Sequence, residues 1–250
     1  MQTGTQRASS ERIHTFPLAI LGVVALGWMV LQWPVTTRFG VNYQWSSRRI
    51  TLFEKAVDFL SRDLQARRLA REVMSQAATP EEKILKAFAW VQDHVQPTPP
   101  GFPVVDDHVL HIIIRGYGAP DQRTEAFALL LSYAGIPAAP AVLKAPEGDQ
   151  AVNVAVARYG GKTFVFDVDH GLVFRNEQGA LASLEELMRT PDLVARSAGG
   201  LTVGGVPYAH YFLNLGDLRA RFSRIDGQRL WPRLRREAAG LLGRGPERVR

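Results

Sequence analysis

The densest set of ionisable side chains in the sequence is Asp106-Asp107-His108, with His111 three residues further on. Carboxylates beside imidazoles can bind a divalent cation or carry out general acid–base steps. The same residues also have a plainer use. They follow a proline-rich stretch, and Asp107 could cap the segment 108–114. Asp121 lies close by in sequence and completes the candidate set. His170, just past Asp167, reads first as a turn residue rather than a base. The chain of 250 residues contains no cysteine, which excludes disulfides, thiolate metal sites and a cysteine nucleophile together.

These residues need elements to hold them. Thr79-Pro80-Glu81-Glu82 starts a helix: Thr79 can cap it, Pro80 fits its first turn, and the glutamates complement the positive end of its dipole. This helix runs to about His94, and Pro97, Pro99, Pro100 and Pro103 make the next stretch a surface loop. Ala119-Pro120-Asp121 starts another helix, with Phe127, Leu130, Leu131 and Ala134 on one face and Gly135 closing it. Strands follow over 138–143, 151–159 and 162–168, the last two joined by the turn Gly160-Gly161. Upstream, Leu52, Ala56, Phe59, Leu60, Leu64 and Leu69 predict one or two helices over 51–75, preceded by an irregular connector over 36–50. Downstream, 183–189 reads as a capped helix and 207–224 as helical. Helices followed by an antiparallel meander define an α+β class.

The run Gly116-Tyr117-Gly118-Ala119-Pro120-Asp121-Gln122, entering an apolar helix that ends in Gly135-Ile136-Pro137-Ala138, resembles the transglutaminase-like superfamily with its papain-like fold. The resemblance covers roughly residues 80–190. In that family a cysteine opens this helix, a histidine begins a following strand and an aspartate ends the next. The dipole stabilises the thiolate, the imidazole accepts its proton and the carboxylate orients the imidazole. Here the cysteine position falls on Pro120 and the histidine position on Asn153, while Asp167 matches the aspartate. The resemblance therefore implies the fold without the activity, and no cofactor or metal. Asn153 would keep local order by bonding Asp167 or a backbone group.

Residues 16–31 carry no charge and extend with Gln32, Trp33, Pro34 and Val35 to about twenty residues, enough to span about 30 Å of hydrocarbon. This predicts an uncleaved transmembrane anchor over 16–35. A cleavable signal has a shorter apolar region ending in small residues, unlike Leu31-Gln32-Trp33-Pro34-Val35. The expected organisation is a tail over 1–15, the anchor, a connector and helical segment over 36–78, the transglutaminase-like domain over 79–190, and a helical extension with a basic tail over 191–250. Arginines flank the anchor on both sides, so orientation is taken from the resemblance: a bacterial inner membrane, with the domain in the periplasm.

Seven arginines against two glutamates over 229–250 suit anionic lipid or an acidic partner, with a solvated tail as the plain alternative. No basic stripe interleaved with aromatics runs through the body of the chain, which argues against nucleic acid. The leading expectation is a non-enzymatic subunit that binds integral membrane proteins of a larger complex. The alternatives are a hydrolase or peptide-modifying enzyme built on Asp106, Asp107, His108 and Asp121, or a glycan or peptidoglycan binder presenting Trp90, Phe102 and Tyr117.

Overall fold

A computed structural model describes residues 8–106, 108–213, 215, 218 and 220–241, with the side chains of those from 20 to 222, 224 to 235 and 239. Asp107 and the end of the basic tail lie outside the described residues. In chain order the elements are α1 (Ala8–Leu31), β1 (Pro34–Val41), β2 (Gln44–Thr51), α2 (Leu52–Val73), α3 (Pro80–His94), β3 (Gln96–Pro97), β4 (Val105–Asp106), α4 (Val109–Arg115) and β5 (Tyr117–Gly118). Next come α5 (Pro120–Tyr133), β6 (Ala138–Lys144), β7 (Ala151–Tyr159), β8 (Lys162–Asp167) and β9 (Leu172–Val173). The chain continues through α6 (Leu184–Arg189), α7 (Asp192–Ala198), β10 (Thr202–Val203), β11 (Val206–Pro207), a 3-10 turn (Tyr208–Phe212), α8 (Phe222–Asp226) and α9 (Leu230–Leu241).

The class is α+β, as expected. β6, β7, β8 and β9 form an antiparallel sheet in sequence order, with Gly160 and Gly161 both at positive φ in the β7–β8 turn. Side chains alternate across a strand, and the sheet separates two cores. Ala155, Ala157, Phe164 and Phe166 face α5, where Phe166 packs with Phe88 and Phe127. Val152, Val154, Val156 and Val165 face the other way, towards Leu187, Val194, Tyr208, Tyr211 and Phe212. α5 is buried from Gln122 to Ser132: Ala126–Leu131 is apolar and packs in the core, while the polar Gln122, Arg123, Thr124 and Glu125 of its first half are buried with partners. The helix caps follow their sequence signals: Thr51 with Glu54, Thr79 with Glu82, and Ser183 with Glu186.

Three expectations change. Residues 36–50 are not an irregular connector: β1 and β2 pair residue for residue from Pro34↔Thr51 to Val41↔Gln44, and β4 adds to β1. The hairpin turns at Asn42-Tyr43, both at positive φ, without the glycine that usually marks such a turn, and Asn42 is held by two hydrogen bonds to Val104. The segment 207–224 is a 3-10 turn and the start of α8 rather than one helix. Finally, the apolar run 16–35 is not wholly helical: α1 stops at Leu31, and Pro34 and Val35 already belong to β1. Among the described residues no helix is long and apolar enough to cross a membrane. The side chains of α1 are described over residues 20–31. All but Leu31 are exposed.

Candidate functional site

The start of α5 is tightly packed. Gly116, at positive φ, closes α4, and a Cβ on Gly118 would come within 2.9 Å of Ile112 Cγ2 and 3.1 Å of Gln122 Cβ. Ala119 offers no capping side chain, so Gln122 reaches back: its Oε1 accepts from Ala119 N at 3.1 Å and its Nε2 donates to Val105 O at 2.7 Å. Pro120 occupies the first turn, where its missing N–H costs nothing.

One turn on, Asp121 and Glu125 line a cleft of about 110 Å³ with Pro140, Ala141, Val142, Asn153, Arg221 and Arg224. α8 supplies its cation. Arg221 N donates to Pro140 O at 2.9 Å, anchoring the start of α8 on β6, and Arg224 Nε donates to Glu125 Oε1. The Arg224 guanidinium also lies 4.0 Å from Asp106, which β4 delivers from the hairpin sheet. Burial pushes the Glu125 carboxyl up to about 7, with Asp121 and Asp106 adding repulsion and Arg224 offsetting part of it. A carboxyl poised there can exchange a proton near neutral pH. The volume, however, falls below the roughly 300 Å³ at which small-molecule pockets begin.

The three positions that the resemblance implies do not assemble. Asn153 is on the α5 side of the sheet, in the cleft wall. Asp167 points to the opposite side and is fully buried. Its Oδ1 accepts from His170 N at 2.9 Å, and its Oδ2 meets His170 Nδ1 at 2.8 Å and the Tyr208 hydroxyl at 2.6 Å. Asn153 therefore does not bond Asp167. The imidazole that Asp167 orients is His170, three residues away, and burial, followed by the Asp167 charge, holds the Tyr208 hydroxyl far above its ordinary value.

The Asp106–Asp107–His108 cluster also divides. Asp106 approaches Arg224, a residue of the cleft wall, while Asp107 lies outside the described residues. His108 is buried as the cap of α4, its Nδ1 accepting from Leu110 N at 3.1 Å. Burial lowers the His108 imidazole to about 3, helped by Arg62, His111 and Arg233, none of which lines the cleft. Its Nε2 is buried with no partner among the described residues. No group of acidic and histidine side chains among the described residues is arranged to hold a metal ion. Of the aromatic trio, Trp90 stacks on His94 beside the core, while exposed Phe102 makes an edge contact with Tyr117.

Sequence reasoning missed Glu125 and Arg224. Glu125 was within reach, four residues after Asp121 and so on the same helix face. Arg224 carries no sequence signal, because only the packing of α8 on α5 and β6 brings it there.

No family model and no curated protein matches the chain. Solved structures to which it is similar include a candidate protease from Parabacteroides distasonis, at 17% identity over 41% of this chain and 23% of that one, with a TM-score of 0.35. Another is a candidate cysteine protease from Cytophaga hutchinsonii, at 18% identity over 51% of this chain and 45% of that one, with a TM-score of 0.38. A third is a TGase, at 13% identity over 50% of this chain and 40% of that one, with a TM-score of 0.36. The chain spans less than half the length of each. Its own order of elements, α5 followed by antiparallel β6, β7 and β8, is the order that the sequence resemblance implies.

Proposed function

We propose that this chain is a non-enzymatic, membrane-anchored subunit of transglutaminase-like build, which binds integral membrane proteins of a larger complex at a bacterial inner membrane with its folded domain in the periplasm. The separation of Asn153 from Asp167 by the sheet, with Pro120 at the nucleophile position, carries this reading. A scaffold kept without its chemistry has no need to align those three side chains. The uncharged run 16–31 and the outward-facing apolar side chains of α1 support the anchor. Rescue experiments test the absence of catalysis. Cells lacking the chain should recover fully with the Asp121→Asn/Glu125→Gln double variant at normal abundance, and failure of that rescue would defeat the reading.

A second reading keeps an enzyme. Glu125, with a carboxyl near 7 beside Asp121 in the cleft, has the protonation behaviour of a general acid or base. It replaces the Asp107/His108 version, because His108 acts as a buried neutral cap. Hydrolysis of a peptide or glycan substrate by the purified chain, abolished by Glu125→Gln, would establish this second reading.

A further inference from the structure

Exposed large apolar side chains are concentrated at one end of the molecule. Beyond α1 they include Trp33, Phe39, Val41, Tyr43 and Trp45 on the β1–β2 hairpin, Phe53, Val57, Leu60 and Leu64 on α2, and Trp231 and Leu234 on α9. The α2 positions follow spacings of four, three and four, which place them in one stripe along the helix. The elements adjoin: α2 touches α1, β1, β2 and α9, and Leu230 N donates to Asp63 Oδ1 at 3.2 Å while the Arg233 guanidinium sits 5.4 Å from the Phe59 ring.

Charge is divided the same way. Residues 32–73 and 229–235 hold eleven Arg and Lys against four Asp and Glu, a net +7. Residues 74–228 hold thirteen against seventeen, a net −4. Monomer surfaces rarely gather large apolar side chains in this way. Aromatic rings and leucines set among arginines match a bilayer interface, where rings sit at headgroup level and guanidinium groups meet lipid phosphate.

We infer that the β1–β2 hairpin, the outer stripe of α2 and the start of α9 form a docking surface for an anionic lipid bilayer. The inference rests on the membrane reading for its location and adds the surface and the lipid charge. The apolar helix α1 leads directly into the hairpin, with Leu52 N donating to Trp33 O at 2.9 Å, so the domain is tethered at this basic end. The acidic remainder faces away from negative headgroups, which fixes an orientation as well as an attachment.

The absence of cysteine makes the test clean. The full chain carrying a single Tyr43→Cys, Leu64→Cys or Leu234→Cys substitution is labelled with an environment-sensitive fluorophore and reconstituted into vesicles, with Met188→Cys as the control. In vesicles containing phosphatidylglycerol, the first three labels should be shielded from an aqueous quencher, and the shielding should be lost in phosphatidylcholine alone or at high salt. The label at position 188 should stay accessible throughout. Replacing Arg38, Arg48 and Arg49 with Gln should weaken docking on the order of a hundredfold. Labels that remain accessible on anionic vesicles would overturn the inference. So would shielding that is equal in phosphatidylcholine or detergent, which would mark a protein or purely apolar contact. Carbonate-resistant flotation with phosphatidylcholine vesicles reports the anchor separately.

Discussion

Asn153 and Asp167 lie on opposite faces of the four-stranded sheet, Asn153 in the cleft beside α5 and Asp167 bonded to Tyr208 in the second core. Restoring side-chain chemistry therefore cannot restore a triad. The Pro120→Cys/Asn153→His double variant is expected to fold, to expose a thiol at the start of α5 and to show no acyl transfer or amide hydrolysis. Burst assays with activated esters measure this. Accumulation of an acyl-enzyme would show that the sheet is not the barrier described here.

Asp167 is a structural acceptor, and its removal should be felt in stability. Tyr208→Phe deletes one of its donors inside the core and should cost about 1–3 kcal/mol. Asp167→Ala should cost more, because it strands the Tyr208 hydroxyl and the His170 N–H together. Urea denaturation monitored by circular dichroism gives both values.

Glu125 sets a dependence on pH. Its folded-state value, about 7, lies above the ordinary 4.5, so the folded state holds a proton that the unfolded state releases. Its contribution is fully present below about pH 4.5 and is lost as pH rises towards 7, by on the order of 3 kcal/mol at 1.36 kcal/mol per unit. Glu125→Gln should flatten this slope and leave the variant relatively more stable at pH 8. Melting temperatures of the two proteins between pH 5 and 8 test it.

His108 works in the other direction. Burial depresses its folded-state value to about 3 from 6.5, so the unfolded state takes up a proton first as pH falls. The stability associated with neutral His108 is complete above 6.5 and is lost between 6.5 and about 3. His108→Asn keeps an oxygen to cap Leu110 N without an imidazole to protonate, and should resist acid better than the parent in this window.

The parts read correctly from sequence are those with local causes. Thr79-Pro80 and Ser183 start helices because cap and dipole act within one turn, and Gly160-Gly161 turns because both residues need positive φ. The β1–β2 hairpin was hidden because Asn42-Tyr43 lacks glycine and because β2, exposed on both faces over Gln44–Arg49, shows no apolar alternation. The site was half legible: Asp106 and Asp121 do converge, but through Arg224, whose arrival depends on tertiary packing alone. An imidazole buried as a helix cap, as His108 is, looks in sequence like one available for chemistry.

The central claim, that this chain works by binding membrane subunits, is tested most directly by isolating the tagged full chain from native membranes in mild detergent and measuring the stoichiometry of what accompanies it. Recovery with specific integral membrane proteins in fixed ratio, unchanged by Asp121→Asn/Glu125→Gln, is the predicted result. Recovery of the chain alone, as a monomer with measurable hydrolytic activity that Glu125→Gln abolishes, would contradict it.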